Sequence, residues 1–522
     1  MRRLLERSGG FLPAVIALAL PVAFLPSASD SYILPRASMV IAGACLGVGV
    51  ALLIPIAAGL GNLRLPLALG AAAAALAFAF SISWPLSFVG SYTRYESLPM
   101  RLAYLGLLAS CVWLLRTPRQ RDLVVAAFVF GTSVACIKAW IQWASHVPFR
   151  PDGDLGNANL LAALVVMAAP LAIDRARRGT LFQFAWAAAV IPLAAGLWVT
   201  TSRSGDLGLA AGCLAVLAMA VPRRFVAPVG AFAAGVVALA LFFVLKTPLR
   251  TLNDDPPELR LHLWSDGVRL VLGRPLTGWG EDTTGLSFGH YLTQDYAGLV
   301  TFDRVHSGPL DVAATQGLLG LAALAWVVGL VLWTAWRRRE VEGVPGMAAA
   351  LVGYSVWVFF NFDWAPATGA FWLLAGTLWS SLSPSGEQSV GEARFSAASF
   401  TRSARRVRVR GGVRALAAIA LVVVAVVLAV LPILADTWYV RGRSDLAVKV
   451  DPLQAQYHWA IGTVEELRRA ADLGETEPSL YVQLGDQESL HGDLAAAKRA
   501  YRRALEIDPY YTPAAQRLAA LG

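Results

Sequence analysis

This chain carries little charge for its length. Only 15% of its 522 residues are Asp, Glu, Lys or Arg, against 57% hydrophobic. That balance excludes a soluble globular enzyme and reads as an all-α, polytopic membrane protein. Cysteine is scarce as well. Cys45, Cys111, Cys136 and Cys213 stand singly in apolar runs with no Cys-x-x-Cys pair, which argues against both a disulfide framework and a zinc site. The net charge of +9 would suit a nucleic-acid partner, but the positive residues cluster in short loops between apolar runs. There they orient membrane spans, so no nucleic-acid partner is expected.

The apolar runs come in series. Arg2, Arg3 and Arg7 precede the run Phe11–Pro26, and Ser27-Ala-Ser29 would pass for a signal-peptidase site. Because so many runs follow, an uncleaved first span is preferred. Further runs lie near 37–60, 66–83, 99–115, 122–143, 158–173, 181–200, 207–222 and 225–245. After a long loop come 311–334, 345–360, 367–382 and 415–435. The expected fold is a helical bundle of about 12–13 spans, some short for a bilayer. Arginines fall in alternate loops: Arg64; Arg116, Arg119 and Arg121; Arg175, Arg177 and Arg178; Arg223 and Arg224; Arg337–Arg339. With the N-terminus inside, the other loops face out: Tyr92–Glu96, Asp152–Asn159, Ser202–Asp206 and 246–310.

Within the long outer loop, Asp254, Asp255, Pro256 and Pro257 read as a helix start, Leu259, Leu263 and Leu270 recur at helical spacing, and Gly273 before Pro275 marks a stop. On that helix Arg260, Trp264 and Val268 share a face. It is read as amphipathic and lying on the outer surface, the alternative being an arginine that only meets lipid headgroups. The loop ends at Arg304-Val-His306-Ser-Gly-Pro-Leu-Asp311, where a long apolar helix begins. A histidine at such a boundary can take a proton from a hydroxyl, which suits a general base. The plainer reading is a polar loop residue ahead of a span.

Four motifs, in this order of weight, carry a resemblance. His306, with Gly317-Leu-Leu-Gly320 eleven residues on, resembles the His-Asn-x-x-Leu…Gly-Leu-Leu-Gly signature of the O-antigen ligase and polymerase superfamily, with Ser307 where that family usually has Asn. Thr201-Ser202-Arg203-Ser204-Gly-Asp-Leu207 is similar to its Ser-Arg-Ser segment. Arg260-Leu-His-Leu-Trp264 with Arg274-Pro-Leu-Thr-Gly-Trp-Gly280 resembles its Arg-x-x-x-Trp…Pro-Leu-x-Gly-x-Gly. Gly156-Asn157-Ala-Asn159 resembles its Gly-Asn-x-Asn element.

The resemblance implies a bacterial inner-membrane glycosyltransferase that moves a glycan from a polyprenyl-diphosphate carrier to a lipid, glycan or protein acceptor. Arginine suits the departing diphosphate, because its fork makes paired, charge-assisted bonds to phosphate and never loses its proton. Arg203 and Arg260 are the first candidates for that clamp. Arg94, Arg274, Arg304 and Asn157 are further substrate-binding candidates, and any of the arginines could instead snorkel at the lipid interface. His306 would deprotonate the acceptor hydroxyl, with Asp311 either orienting it or capping the next helix. No cofactor and no metal are called for: Asp254-Asp255 beside two prolines is a helix start, and arginines supply the electrostatics. A polymerase or protein O-oligosaccharyltransferase of the same superfamily is the near alternative. A flippase or transporter is the distant one, disfavoured because ionisable groups avoid the span centres.

After 383 the composition shifts. Segment 384–414 carries seven arginines among Ser, Gly and Ala, which reads as a basic cytoplasmic linker to a last span at 415–436. Residues 437–522 are soluble in character. Pro478-Ser-Leu-Tyr-Val-Gln-Leu484-Gly485, Gly492-Asp-Leu-Ala495, Ala500-Tyr501 and Ala504…Pro509 resemble a tetratricopeptide repeat, and Asp445–Pro452 the tail of a degenerate earlier unit. Such helix pairs pack on the parent domain or bind a protein partner and carry no chemistry of their own. The span count places them outside the cytoplasm.

Overall fold

The structure is a computed structural model that describes residues 8–179, 182–221, 257–296, 302–383 and 403–522, with residues 5, 6, 224, 228 and 235 besides. Every regular element among these residues is helical. The bundle is built from α1 (Leu12–Val22), α2 (Ile33–Leu53), α3 (Arg64–Ala79), α4 (Leu98–Leu114), α5 (Pro118–Ala144), α6 (Ala158–Ala176), α7 (Gln183–Thr200) and α8 (Arg203–Ala220). After α9 (Pro257–Gly273) it continues with α10 (Gly308–Arg337), α11 (Val344–Phe359) and α12 (Ala365–Leu382). The long α13 starts at Ser403, passes a π turn at Val426–Val430 and ends at Tyr439. Eight of the described helices are long and apolar enough to cross a membrane, and three shorter ones are apolar. The expected span at 225–245, the helix start at Asp254–Pro256 and most of the basic linker lie outside the described residues.

Polar caps set where the apolar runs begin. Thr117 and Gln120 form a reciprocal capping box on α5, and Ser97, Asn157 and Ser202 cap α4, α6 and α8. Two helices form the middle of the bundle. α6 is 83% buried over its most apolar stretch, and almost every residue of α12 is buried. Both are rich in alanine and small residues, so neighbours pack close on all sides. At the α8–α11 crossing, a Cβ added to Gly208 would lie 2.8 Å from the Gly353 carbonyl, so only glycine admits that approach. α13 is 17% buried over its most apolar stretch and runs along the outside against α2, as its Val-rich sequence allows in lipid.

The loops segregate by charge. At one end Arg116 bonds the Pro55 carbonyl, Arg175 pairs with Asp122 at 2.5 Å, Arg178 pairs with Asp174 and Glu342, and Arg338 and Arg339 reach the carbonyls of Leu382 and Ala218. The motif-bearing loops gather at the other end. There Arg36, fully buried, holds them to α1 by donating to the carbonyls of Leu20, Pro21, Tyr32 and Asp154.

Past Tyr439 come six short helices: α14 (Ser444–Val450), α15 (Ala455–Ile461), α16 (Val464–Asp472), α17 (Pro478–Leu490), α18 (Leu494–Ile507) and α19 (Thr512–Ala520). α17 and α18 pair closely, with Gly485 against the Tyr501 ring and Asp493 capping α18. Leu467, Leu480, Leu484 and Ile507 share one apolar cluster with Leu86 and Leu286 of the motif-bearing loops. These helices therefore lie at that end of the bundle.

Candidate functional site

Five consecutive residues between α11 and α12, Phe360-Asn361-Phe362-Asp363-Trp364, tie the motif-bearing segments together. Arg260 Nη1 donates to the Phe360 carbonyl at 2.7 Å. Asn361 Nδ2 donates to Ser204 Oγ at 2.9 Å, holding the turn that carries Arg203. The Phe362 ring lies edge-on to His306, 5.3 Å between centroids, and beneath the Arg94 guanidinium at 4.9 Å. Asp363 accepts from Arg101 at 2.6 Å. Trp364 stacks under Arg94 at 4.6 Å and donates to the Thr93 carbonyl. Nothing in the sequence pattern marks this pentapeptide, which looks like a plain break between two apolar runs.

Arg203 is the first residue of α8, where unpaired backbone N–H groups and the helix dipole favour an anion. Arg260 stands on α9, and Trp264 one turn on donates Nε1 to the His306 carbonyl at 3.3 Å. Both therefore face the hub, whereas Val268, expected on the same face, is exposed. The half-buried His306 ring sits between Phe302 and Phe362. Its backbone is left-handed at φ 56°, a conformation that costs a non-glycine residue about 1–3 kcal/mol and persists only where surroundings impose it. Thr93, Tyr95, Thr201 and Asp282, neighbours or partners of other candidate residues, share that conformation.

Asp311 Oδ1 accepts from the Val305 backbone N–H at 2.8 Å, so it holds the strand of chain just ahead of His306. Arg304 is fully buried and paired with Asp282, which also accepts from the Ser91 backbone. Burial pushes its guanidinium pKa down, while the Asp311 charge opposes that shift. Arg94 is clamped by both oxygens of Asp303, at 2.6 and 3.2 Å. Arg101, which sequence reasoning missed, is 8% exposed and faces three carboxylates: Glu281 at 3.1 Å, Asp363 at 2.6 Å and Glu96 at 3.6 Å. Burial drives the Glu96 carboxyl up to about 7 against the pull of Arg101.

The remaining candidates lie to the sides. Asn157 caps α6, accepting from the Asn159 backbone at 2.8 Å. Arg274 is turned to the Phe80 carbonyl and lies over Trp279. Its motif nonetheless meets the His306 motif through backbone alone. Trp279 and Gly280 donate to the carbonyls of Ala314 and Thr315, and Leu318 donates to that of Pro275. α10 breaks there at Gly317, φ 69°, where a Cβ would strike the Leu276 carbonyl. The glycine is required by that clasp. An Asp-x-Asp pair that sequence reasoning missed, Asp152-Gly-Asp154, also stands at this end. Its carboxylates engage Gln142 and Lys138, and among the described residues no group of three or more His, Cys, Asp or Glu is placed to hold a metal.

A cavity of about 360 Å³ opens below the hub between α3, α4, α10, α11 and α12. Its walls are apolar (Leu105, Val312, Leu324, Val358 and Phe371 among them), with Arg101 and Asp363 at its polar end.

Compared with known proteins, residues 188–325 match the family model described as O-Antigen ligase. No curated protein matches the chain. The matched stretch includes Arg203, Arg260, Arg274, Arg304, His306 and Asp311. The hub at 360–364, Arg94, Arg101 and Asn157 lie outside it.

Proposed function

We propose that this chain transfers a glycan from a polyprenyl-diphosphate carrier to an acceptor hydroxyl, a reading supported by the match of residues 188–325 to the O-antigen ligase family model, which favours a membrane glycosyltransferase of the ligase or polymerase type. The observation that carries this reading is the hub. Phe360, Asn361 and Phe362 in succession hold Arg260, the Arg203 turn and the His306 ring. A diphosphate between the start of α8 and α9 would meet two guanidinium groups and a helix N-terminus, with His306 within the same cluster.

In the reaction, the acceptor oxygen attacks the anomeric carbon and gives its proton to His306. The bond from that carbon to the phosphate oxygen breaks, and the polyprenyl diphosphate leaves with the electron pair. Arg203 and Arg260 neutralise the charge as it forms, and groups already in place need no reorganisation at that moment. Arg101 and Arg304 fit this task less well, since both are buried away from solvent. The apolar cavity below the hub suits part of the prenyl chain. The motif-bearing end is then the extracytoplasmic face.

Donor affinity and transfer, measured together on purified His306→Ala, Arg203→Lys and Arg260→Lys, test the reading. His306→Ala should bind donor normally and lose ~10²–10⁴-fold in transfer. Near-normal transfer in that variant removes the base, and unchanged donor affinity in both lysine variants removes the clamp. Envelope glycans of a deletion strain separate the acceptors: free polymer accumulates if a ligase is lost, single repeat units if a polymerase is lost.

A further inference from the structure

The C-terminal helices lie directly on the loops that brace the candidate base. The turn at 474–477 packs against the chain at 83–86, where a Cβ on Gly474 would lie 2.5 Å from Ser83 Oγ. A Cβ on Gly285 would stand 2.9 Å from Thr476 Cβ and 3.6 Å from Asp303 Cα. The end of α18 abuts the turn Phe288–Tyr291, and Gly289 there has no space for any side chain beside the carbonyls of Glu506 and Ile507. Leu86 and Leu286 are buried in the apolar cluster of the C-terminal helices, and Tyr92 donates to Asp436, which also binds Tyr457.

The two segments held in this way carry Arg94 and Glu96 on one side, and Asp282 and Asp303 on the other. The Arg94–Asp303 pair rests on Phe362, and Phe362 on the His306 ring. Glu477 lies within electrostatic reach of both Arg94 and Asp303. A module whose only task was to recruit a partner would need none of these contacts.

We propose that the C-terminal helices are a positioning element of the transfer site: their docking sets the Arg94–Asp303 pair and, through Phe362, the ring of His306. This rests on the reading of His306 as the base. The helices touch no substrate in this account. They act by removing freedom from the groups that hold the base, and a small misplacement of a reacting group can cost ~10²-fold in rate.

The test uses the full chain in detergent with a lipid-linked glycan donor, comparing Gly289→Trp, Glu477→Gln and His306→Ala. The indole of Gly289→Trp cannot fit against α18, so docking must loosen, which limited proteolysis within 440–522 registers. Turnover should fall ~10-fold or more, with donor KM held within about twofold. Glu477→Gln should show the same split more weakly, and Glu477→Asp should restore part of the loss. Wild-type turnover in Gly289→Trp overturns the proposal, and so does a fall in donor affinity as large as the fall in turnover, which would mark a merely structural role. If His306→Ala stays active, the reading of the base fails. If it is dead while Gly289→Trp is normal, only the positioning role fails.

Discussion

Two sets of arginines reach the same end of the bundle, and they are built differently. Arg101 and Arg304 are buried at 8% and 1% exposure and caged by carboxylates: Glu96, Glu281 and Asp363 for the first, Asp282 for the second with Asp311 close by. Arg203 and Arg260 are half-buried, one at the start of a helix and the other anchored on a backbone carbonyl. A guanidinium taken out of water needs opposite charge at contact distance, whereas one at a boundary keeps solvent access. The first set therefore holds segments together, and the second is the set left within reach of solvent. Arginine at the right spacing is not enough to tell them apart.

The largest expected effect separates the two sets by stability. Arg101→Leu strands three carboxylates and should cost about 3–5 kcal/mol, while Arg203→Leu should cost under about 1 kcal/mol. Thermal midpoints in one detergent would read this, and equal losses would erase the distinction. Next in size is the clasp beneath the second set. Gly317→Ala forces a Cβ into the Leu276 carbonyl at a left-handed position and should cost about 1–3 kcal/mol; a wild-type midpoint would show that the helix break needs no glycine. Donor affinity sharpens the contrast from the other side. Arg260→Lys should weaken donor binding ~10-fold, or about 1.4 kcal/mol, with stability unchanged. Loss of stability without loss of affinity would move Arg260 into the caged set.

The smallest effect depends on pH. Glu475 is buried where the C-terminal helices meet the loop near Gly90, and burial pushes its carboxyl from 4.5 up to about 7. A carboxyl raised in the docked state favours docking fully below about 4.5, and that favour is lost as pH rises to about 7. Protection of residues 440–522 from protease should decline over that window, and Glu475→Gln should flatten the decline. Identical pH profiles for the two proteins would remove Glu475 from the interface energetics. The change in protection is small because the remaining contacts keep most of the module docked across that window.

Much of the architecture was legible because it rests on local rules. Apolar runs and their flanking arginines announced most helices within a few residues, since a backbone in lipid has little choice but helix, although α13 begins at Ser403, inside the expected linker. The alternation of arginine loops anticipated which segments would share an end, and the helix at 257–273 followed from its leucine spacing and its Gly-Pro stop. The alignment of Arg260 and Trp264 was legible for the same reason, but not that Val268 would face away.

What the sequence determined by itself is the helical class, the two-ended charge segregation and the order of the motifs: each depends on residues a few positions apart or on composition alone. The tertiary structure alone decided which arginines are caged, why Gly317 and the loop before Gly280 require each other, and that residues 360–364 gather the site. It also decided that the C-terminal helices pack against the loops around that site. Most of those contacts join residues far apart in the chain, as at 280 and 315, 260 and 360, 204 and 361, or 30 and 436. Their partners are chosen by packing and charge balance in the folded bundle, which leave no period or spacing along the chain to read.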